Sequence, residues 1–441
     1  MSGLSNNSKS TQLPALTFVM TIEYNGFEYA GFQRQTATHI DTSSCNHQRS
    51  NKKARKSKRT SSTIQHEIEM ALQQYTNLSI ATLRVRGAGR TDKGVHATGQ
   101  VTAFDIPLEL LNIDDNNCII CAEDTNSKEE GDINKEILSK HCMKHIQDAY
   151  HILNKHISST KTTTDNDKKT NDKKNTATFI DLWQIRRALS TRLPTDIVIQ
   201  SIRLYTDIYN PFEPRNRIQC KTYMYNLRFR CLAYLNDDDE SSSNEKQSSC
   251  TSPDTTNRAQ LHPICNSGPH LLRRITDQNT VWLCQWPLNP SLIRQACNMF
   301  VGKHNFVNFV HKDERKKTNS TSNAEEDTSS DHVIDLFEFS VDIQSEEEED
   351  TSLPPVMNAT FTLKAKGFHR SMVRLLVGFV VDVARGKQRL EDIPILLLDE
   401  KEEDVIVKPP TAETLASLKV HAAPACGLCL TKVEYEHDNF L

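Results

Sequence analysis

The sequence predicts an α+β protein made of two successive copies of one unit, ordered strand, helix, strand, strand, helix, strand. Three observations predict it: runs of period-two alternation, helix-period stripes between them, and a proline-bracketed break in mid-chain. In the first copy Phe18, Met20, Ile22 and Tyr24 alternate with Val19, Thr21 and Glu23 and stop at the Asn25-Gly26 turn signal. Ser62 and Gln65 read as a capping box for a helix whose apolar stripe is Ile64, Ile68, Ala71, Leu72 and Tyr75. Ile80, Leu83 and Val85 predict a second strand, and Val101, Ala103 and Phe104 a third. Leu182, Ile185, Arg186 and Leu189 mark a second helix, and Ile197 to Leu204 a closing strand. That order is the split unit of a ferredoxin-like domain.

Asn210-Pro211-Phe212-Glu213-Pro214 breaks the pattern, so the boundary is placed at 210, with domains 17–209 and 210–441 following a disordered 1–16. The second copy reads as strand Thr222 to Leu232, helix Ser291 to Val301 introduced by Pro290, strands Val333 to Phe339 and Ala359 to Ala365, helix Arg370 to Arg385 and strand Leu428 to Tyr435. Residues 36–61 and 111–178 are insertions in the first domain, the latter polar except for a helical pattern at Ile137, Leu138, Ile146, Tyr150 and Leu153. Insertions 236–280, 313–330 and 344–352 are rich in Ser, Asn, Asp and Glu and are expected to be disordered. Two such domains can join their antiparallel sheets edge to edge, with helices on one face and the other left as a cleft.

The 441 residues suffice for two cores, but only 37% are apolar and the formal net charge is −4, which excludes a uniformly basic polyanion binder. Any such surface must be local. Gln48 to Arg59 supplies seven cations, Arg49, Lys52, Lys53, Arg55, Lys56, Lys58 and Arg59, while Asp237 to Glu240 and Glu346 to Asp350 are acidic. Twelve irregularly spaced cysteines suggest reduced thiols. Cys118/Cys121 and Cys426/Cys429 have knuckle spacing, but they lie far apart and the second pair falls on a strand pattern, so no metal site is expected. The longest apolar run, Leu375 to Val381, is too short for a bilayer, and the Arg-poor start is a poor presequence.

Chemistry concentrates in Gly87-Ala88-Gly89-Arg90-Thr91-Asp92-Lys93-Gly94-Val95-His96-Ala97, which presents one carboxylate between two cations on a glycine-rich loop between strands. By spacing alone, a capped turn with a solvated ion pair is the more ordinary explanation, since structural ion pairs also sit on loops. Arg90 through Val101 resembles the signature of the tRNA pseudouridine synthases of the TruA type, and further segments match in order from about Phe18 to about Tyr435.

The resemblance implies an enzyme that isomerises uridine to pseudouridine in tRNA, in the anticodon stem-loop as TruA-type members do, with Asp92 as the essential catalytic residue. It implies an RNA cleft on the open sheet face. The reaction cuts the N-glycosidic bond, turns the uracil and rejoins it through carbon, so no cofactor or metal is required. It does require a carboxylate at the sugar or base, a flat surface for the detached base, and cations for the backbone.

In Lys221-Thr222-Tyr223-Met224-Tyr225, Tyr223 inherits the tyrosine that stacks on the target uracil; Tyr225 points the same way and one of the two is core. Gly367-Phe368-His369-Arg370-Ser371-Met372-Val373-Arg374 resembles the family's C-terminal helix motif, whose arginine pairs with the catalytic aspartate. Arg374 therefore carries over as a bidentate partner of Asp92, fixing its rotamer and bridging the two domains, above a core stripe of Met372, Leu375, Leu376, Phe379 and Val383. Arg90 is assigned to the flipped nucleotide or its phosphate, and Lys221, His96, Arg34 and Arg215 to substrate binding, His96 in a positioning role. Phe32 stands where the family usually has tryptophan, and Phe212-Glu213-Pro214-Arg215 keeps only the flanks of a His-Ala-Arg-Phe run. Lys303 and His304, beside Phe306 and Phe309, either face RNA or pack.

The resemblance to the bacterial branch implies a homodimer that the insertions could block, with the cytoplasm as the expected compartment and no membrane partner. The competing readings are a non-catalytic RNA-binding or RNA-folding protein on the same scaffold and an aspartate-dependent nucleoside hydrolase.

Overall fold

The computed structural model describes residues 14–34, 62–111, 138–161, 175–232, 272–277, 279–311, 332–346, 354–397, 418–436 and 440. The chain divides into two compact units, Met1–Thr91 with Gly99–Arg217 and Tyr435–Leu441, and Asp92–Thr98 with Ile218–Glu434.

The first unit runs β1 (Ala15–Tyr24), α1 (Ile64–Thr76), α2 (Ile80–Leu83), β2 (Arg86–Gly87), β3 (His96–Pro107, in this unit from Gly99), α3 (Lys140–Lys161), α4 (Asn175–Ser190) and β4 (Ile197–Leu204). Its sheet order is β4-β1-β3-β2. β1 and β4 are antiparallel, from Phe18 opposite Leu204 to Tyr24 opposite Ile197, with a bulge at Thr21/Ile22. The inward alternation of β1 places the Phe18 ring flat against Phe104 at 5.1 Å, and the whole α1 stripe is buried.

Part of the supposed insertion belongs to this core. Leu138, Ile146 and Leu153 are buried, and Tyr75 hydroxyl lies 2.9 Å from His145 Nδ1. The amphipathic stripe of α3 needs an apolar partner, and α1 supplies it.

Two local readings change. Ile80–Leu83 is a helical turn rather than a strand, because Ser79 accepts the Thr82 N–H at 3.1 Å and Arg84 closes it in the left-handed conformation. The cap of α1 is Thr63, accepting from His66 N–H at 3.3 Å, not Ser62. Gln65 reaches instead to Glu69 and the Val85 carbonyl. The Pro-bracketed break is anchored by a buried fork: Arg86 donates twice to Asp105, at 2.8 and 2.9 Å, and to the Phe212 carbonyl at 2.7 Å.

The second unit contains β5 (Ile218–Arg230), β6 (Trp282–Leu283), α5 (Pro290–Met299), β7 (Gly302–Asn305), β8 (Val333–Ser345), β9 (Val356–Ala365), α6 (Met372–Ala384), α7 (Asp392–Leu397) and β10 (Leu428–Tyr435). Its strands lie in the order β10-β5-β9-β8-β7, with β6 parallel beside β5. His96 and Ala97, at the start of β3, pair in parallel with Cys429 and Leu430. Asn289 caps α5, accepting from Ser291 and Leu292 N–H groups ahead of Pro290 at the first turn.

α6 is buried nearly all round, although Leu375 is half-exposed rather than core. Phe379 meets Phe309 and Phe300 edge to face at 5.9 and 6.3 Å. Phe306 and Phe309 are fully buried, so the segment after α5 packs through them. β8 runs past the expected strand end into residues 344–345, which pair with Met357 and Asn358. The next residue, Glu346, accepts from buried Arg228 and from Asn358 at 2.7 Å, so the first charge of an insertion expected to be disordered closes an ordered network instead. Residues 1–13, 36–61, 112–137 and 313–330, with Cys118, Cys121, Ile137 and the basic run, lie outside the described residues.

Candidate active site

The aspartate loop owes its shape to one turn. Val95 N–H donates to the Asp92 carbonyl at 3.1 Å, and Gly94, third in the turn, has φ +78°. A type II turn demands that sign there, and the Ala425 methyl, 3.3 Å from where a Cβ would sit, leaves little room. The turn lies in the second unit, with β5 and α6.

Around the Asp92 carboxylate the structure gathers three residues from the start of α6. Ser371 Oγ donates to Oδ2 at 2.6 Å and Arg374 Nη1 to the same oxygen at 3.3 Å, while Arg370 Nε lies 3.8 Å from Oδ1. The arginine is not bidentate as expected. Its Nε is committed to the Ala423 carbonyl at 2.7 Å, so one guanidinium edge holds the acid and another holds the chain before β10. Asp92 and Arg374 side chains are each 20% exposed, sheltered yet reachable.

Tyr223 sits on β5 opposite Leu363, with the Phe368 ring edge-on to it at 5.2 Å. Burial, reinforced by the negative charge of Asp92, pushes its hydroxyl well above the usual tyrosine range, so it stays neutral. Both tyrosines of the pair are buried, Tyr223 with 9% of its surface exposed and Tyr225 wholly enclosed and donating to the Pro424 carbonyl at 2.8 Å.

His96 is buried, and burial pulls its ring below the usual histidine range against the opposing pull of backbone at Asn279 and Cys426. Lys221 is half-buried on β5, opposite Ala365. The other proposed cations lie in the first unit. Arg90 is exposed there, Arg34 lies 3.4 Å from buried Glu69, and Arg215 Nε donates to the Gly87 carbonyl at 3.3 Å. Cys426 and Cys429 are free thiols, and no group of three metal-ligating side chains occurs among the described residues.

Sequence reasoning missed Ser371, Arg370 and Ala423. A serine before an apolar helix announces a cap, and nothing in the pattern distinguishes a capping hydroxyl from one turned toward a distant carboxylate. Phe368 was visible only as a motif member.

A family model described as tRNA pseudouridine synthase matches residues 296–436, which contain the Arg370, Ser371 and Arg374 cluster. The chain is 23% identical over 419 residues to tRNA pseudouridine synthase A of Thermodesulfovibrio yellowstonii, covering 94% of this chain and 98% of that one. It is 23% identical over 417 residues to tRNA pseudouridine synthase A 1 of Bacillus cereus, covering 95% and 98%. Over 113 residues it is 38% identical to tRNA pseudouridine synthase A of Streptococcus pneumoniae, covering 26% and 34%. Along nearly its whole length the chain is thus similar to proteins named tRNA pseudouridine synthase A, and its C-terminal third matches the tRNA pseudouridine synthase family model.

Proposed function

We propose that the protein isomerises uridine to pseudouridine in tRNA, within the anticodon stem-loop, with Asp92 as the essential carboxylate. The observation that carries this reading is the set of donors gathered on Asp92, with Ser371 and Arg374 both donating to one of its oxygens; the charge of Asp92 is also felt at the Tyr223 hydroxyl. The N1–C1′ bond breaks and a C5–C1′ bond forms, C5 loses a proton and N1 gains one, so nothing is oxidised or reduced. Attack on the sugar, attack on the base and removal of the C2′ proton all need one carboxylate oxygen aimed at the substrate. Arg374 and Ser371 hold the other. Tyr223, kept neutral and braced by Phe368, is the platform for the extruded uracil; stacking of this kind contributes about 1–3 kcal/mol per base.

Arg90 is assigned to the flipped nucleotide or its phosphate, and Lys221, Arg34, Arg215 and His96 to substrate binding, His96 in a positioning role. The basic run at 49–59 adds a salt-sensitive share of affinity. The reading of two ferredoxin-like domains, 17–209 and 210–441, is supported by the strand order within each unit, β4-β1-β3-β2 in the first and β10-β5-β9-β8 in the second. A homodimer and a cytoplasmic location complete it; no helix among the described residues is long and apolar enough to cross a membrane.

Carbodiimide mapping of tRNA treated with the parent protein and with Asp92→Ala tests the function. New pseudouridine with the parent alone, with no change in RNA mass and no free uracil, supports it. Equal RNA binding with no new pseudouridine from either protein would favour the non-catalytic reading, and free uracil the hydrolase.

A further inference from the structure

Ser371 occupies the N-cap position of α6 but caps nothing: its side chain makes no bond to the first turn. Its backbone is left-handed, φ 60° and ψ 4°, which a residue bearing a Cβ adopts at a cost. The hydroxyl released from capping goes instead to Asp92 Oδ2 at 2.6 Å, the shortest contact that the carboxylate makes among the described residues. Arg374 Nη1 donates to the same oxygen, so Oδ2 carries two donors, while Oδ1 faces Arg370 Nε at 3.8 Å. Two donors approaching one oxygen from one helix start define the rotation of the carboxylate about its Cβ–Cγ bond, which a single bond from one guanidinium nitrogen does not.

We infer that Ser371 is a positioning residue of the isomerisation: its hydroxyl, set by the left-handed backbone, clamps Oδ2 with Arg374 and leaves Oδ1 turned to the substrate. This rests on the proposed function. The serine touches no reacting atom; it acts through Asp92, and the unusual backbone at 371 is the means of aiming it.

The test uses the full-length protein with Ser371→Gly and Ser371→Ala, measuring melting temperature, tRNA affinity and single-turnover rate. Glycine accepts the left-handed backbone freely and serves at an N-cap nearly as well as serine, so Ser371→Gly is expected to melt at or above the parent temperature. Its single-turnover rate is expected to fall about 10- to 100-fold, the worth of one hydrogen bond to a charged group, with tRNA affinity within about twofold. Ser371→Ala, which keeps the Cβ, is expected to lose rate equally and to melt lower. A rate within about threefold of the parent in either folded variant, or affinity falling in step with rate, would overturn the assignment. Asp92→Ala run alongside separates the two levels: turnover surviving that change sinks the proposed function, whereas turnover lost there but intact in Ser371→Gly sinks only the role of Ser371.

Discussion

Arg374 and Ala423 hold each other by two hydrogen bonds, Arg374 Nε to the Ala423 carbonyl at 2.7 Å and Ala423 N–H to the Arg374 carbonyl at 2.8 Å. The arginine that reaches Asp92 is thereby fixed at both its backbone and its guanidinium to the segment leading into β10. Its remaining nitrogens are aimed by that clasp rather than by the carboxylate alone.

Arg374→Lys is accordingly expected to fail as a conservative change. An ammonium can approach Asp92 or the Ala423 carbonyl, but it lacks the planar fork that serves both. Turnover should drop about 100-fold, with stability lower by about 1–2 kcal/mol for the lost bond to Ala423. Single-turnover kinetics beside denaturant melts check this; near-parental turnover would show that the clasp is dispensable.

Asp92→Asn keeps the shape of the loop and removes the charge. Turnover should fall by about 10³-fold or more, while tRNA affinity changes little because one charge among many phosphate contacts contributes little. Pseudouridine mapping and filter binding measure the two separately. Parallel loss of both would count against a catalytic role.

Gly378→Ala probes the clasp from behind. A Cβ at 378 would lie 1.9 Å from the His421 carbonyl oxygen and 3.1 Å from Ala423 N, backbone atoms that cannot swing aside. Displacing them costs about 1–3 kcal/mol of stability and moves the partner of Arg374, so turnover should fall even in protein that remains folded. Calorimetry and turnover at a temperature well below the transition distinguish the two effects; an unchanged melting temperature would refute the close approach.

His96 gives a pH signature. Burial lowers its folded-state pKa below the ordinary value near 6.5, so the unfolded chain binds the proton more readily. Stability is fully retained above about pH 6.5 and lost as the pH falls from there through the folded-state value. His96→Gln should flatten that part of the melting-temperature profile. A profile equally steep in the variant would place the titration elsewhere.

Much of this molecule was legible from residue order alone. Alternation found β1, β4, β5, β8, β9 and β10, and helix periodicity found α1, α4, α5 and α6, because each buries a face whose period the side chains must follow. The short elements were not legible: β2, β6 and β7 span two to four residues, too few for any period, and exist because a neighbouring strand offers them hydrogen bonds. Resemblance singled out Asp92, Tyr223 and Arg374, whose residue types are ordinary on any loop, strand or helix. Only the tertiary structure decided that Tyr225 is wholly enclosed while Tyr223 keeps a sliver of exposed surface, that Arg374 divides its donors between Asp92 and Ala423, and that Ser371 abandons its helix for a carboxylate 279 positions away. Local sequence sets what a side chain can donate or accept; which partner it takes depends on what the fold brings within 3 Å, and no periodicity along the chain encodes that distance.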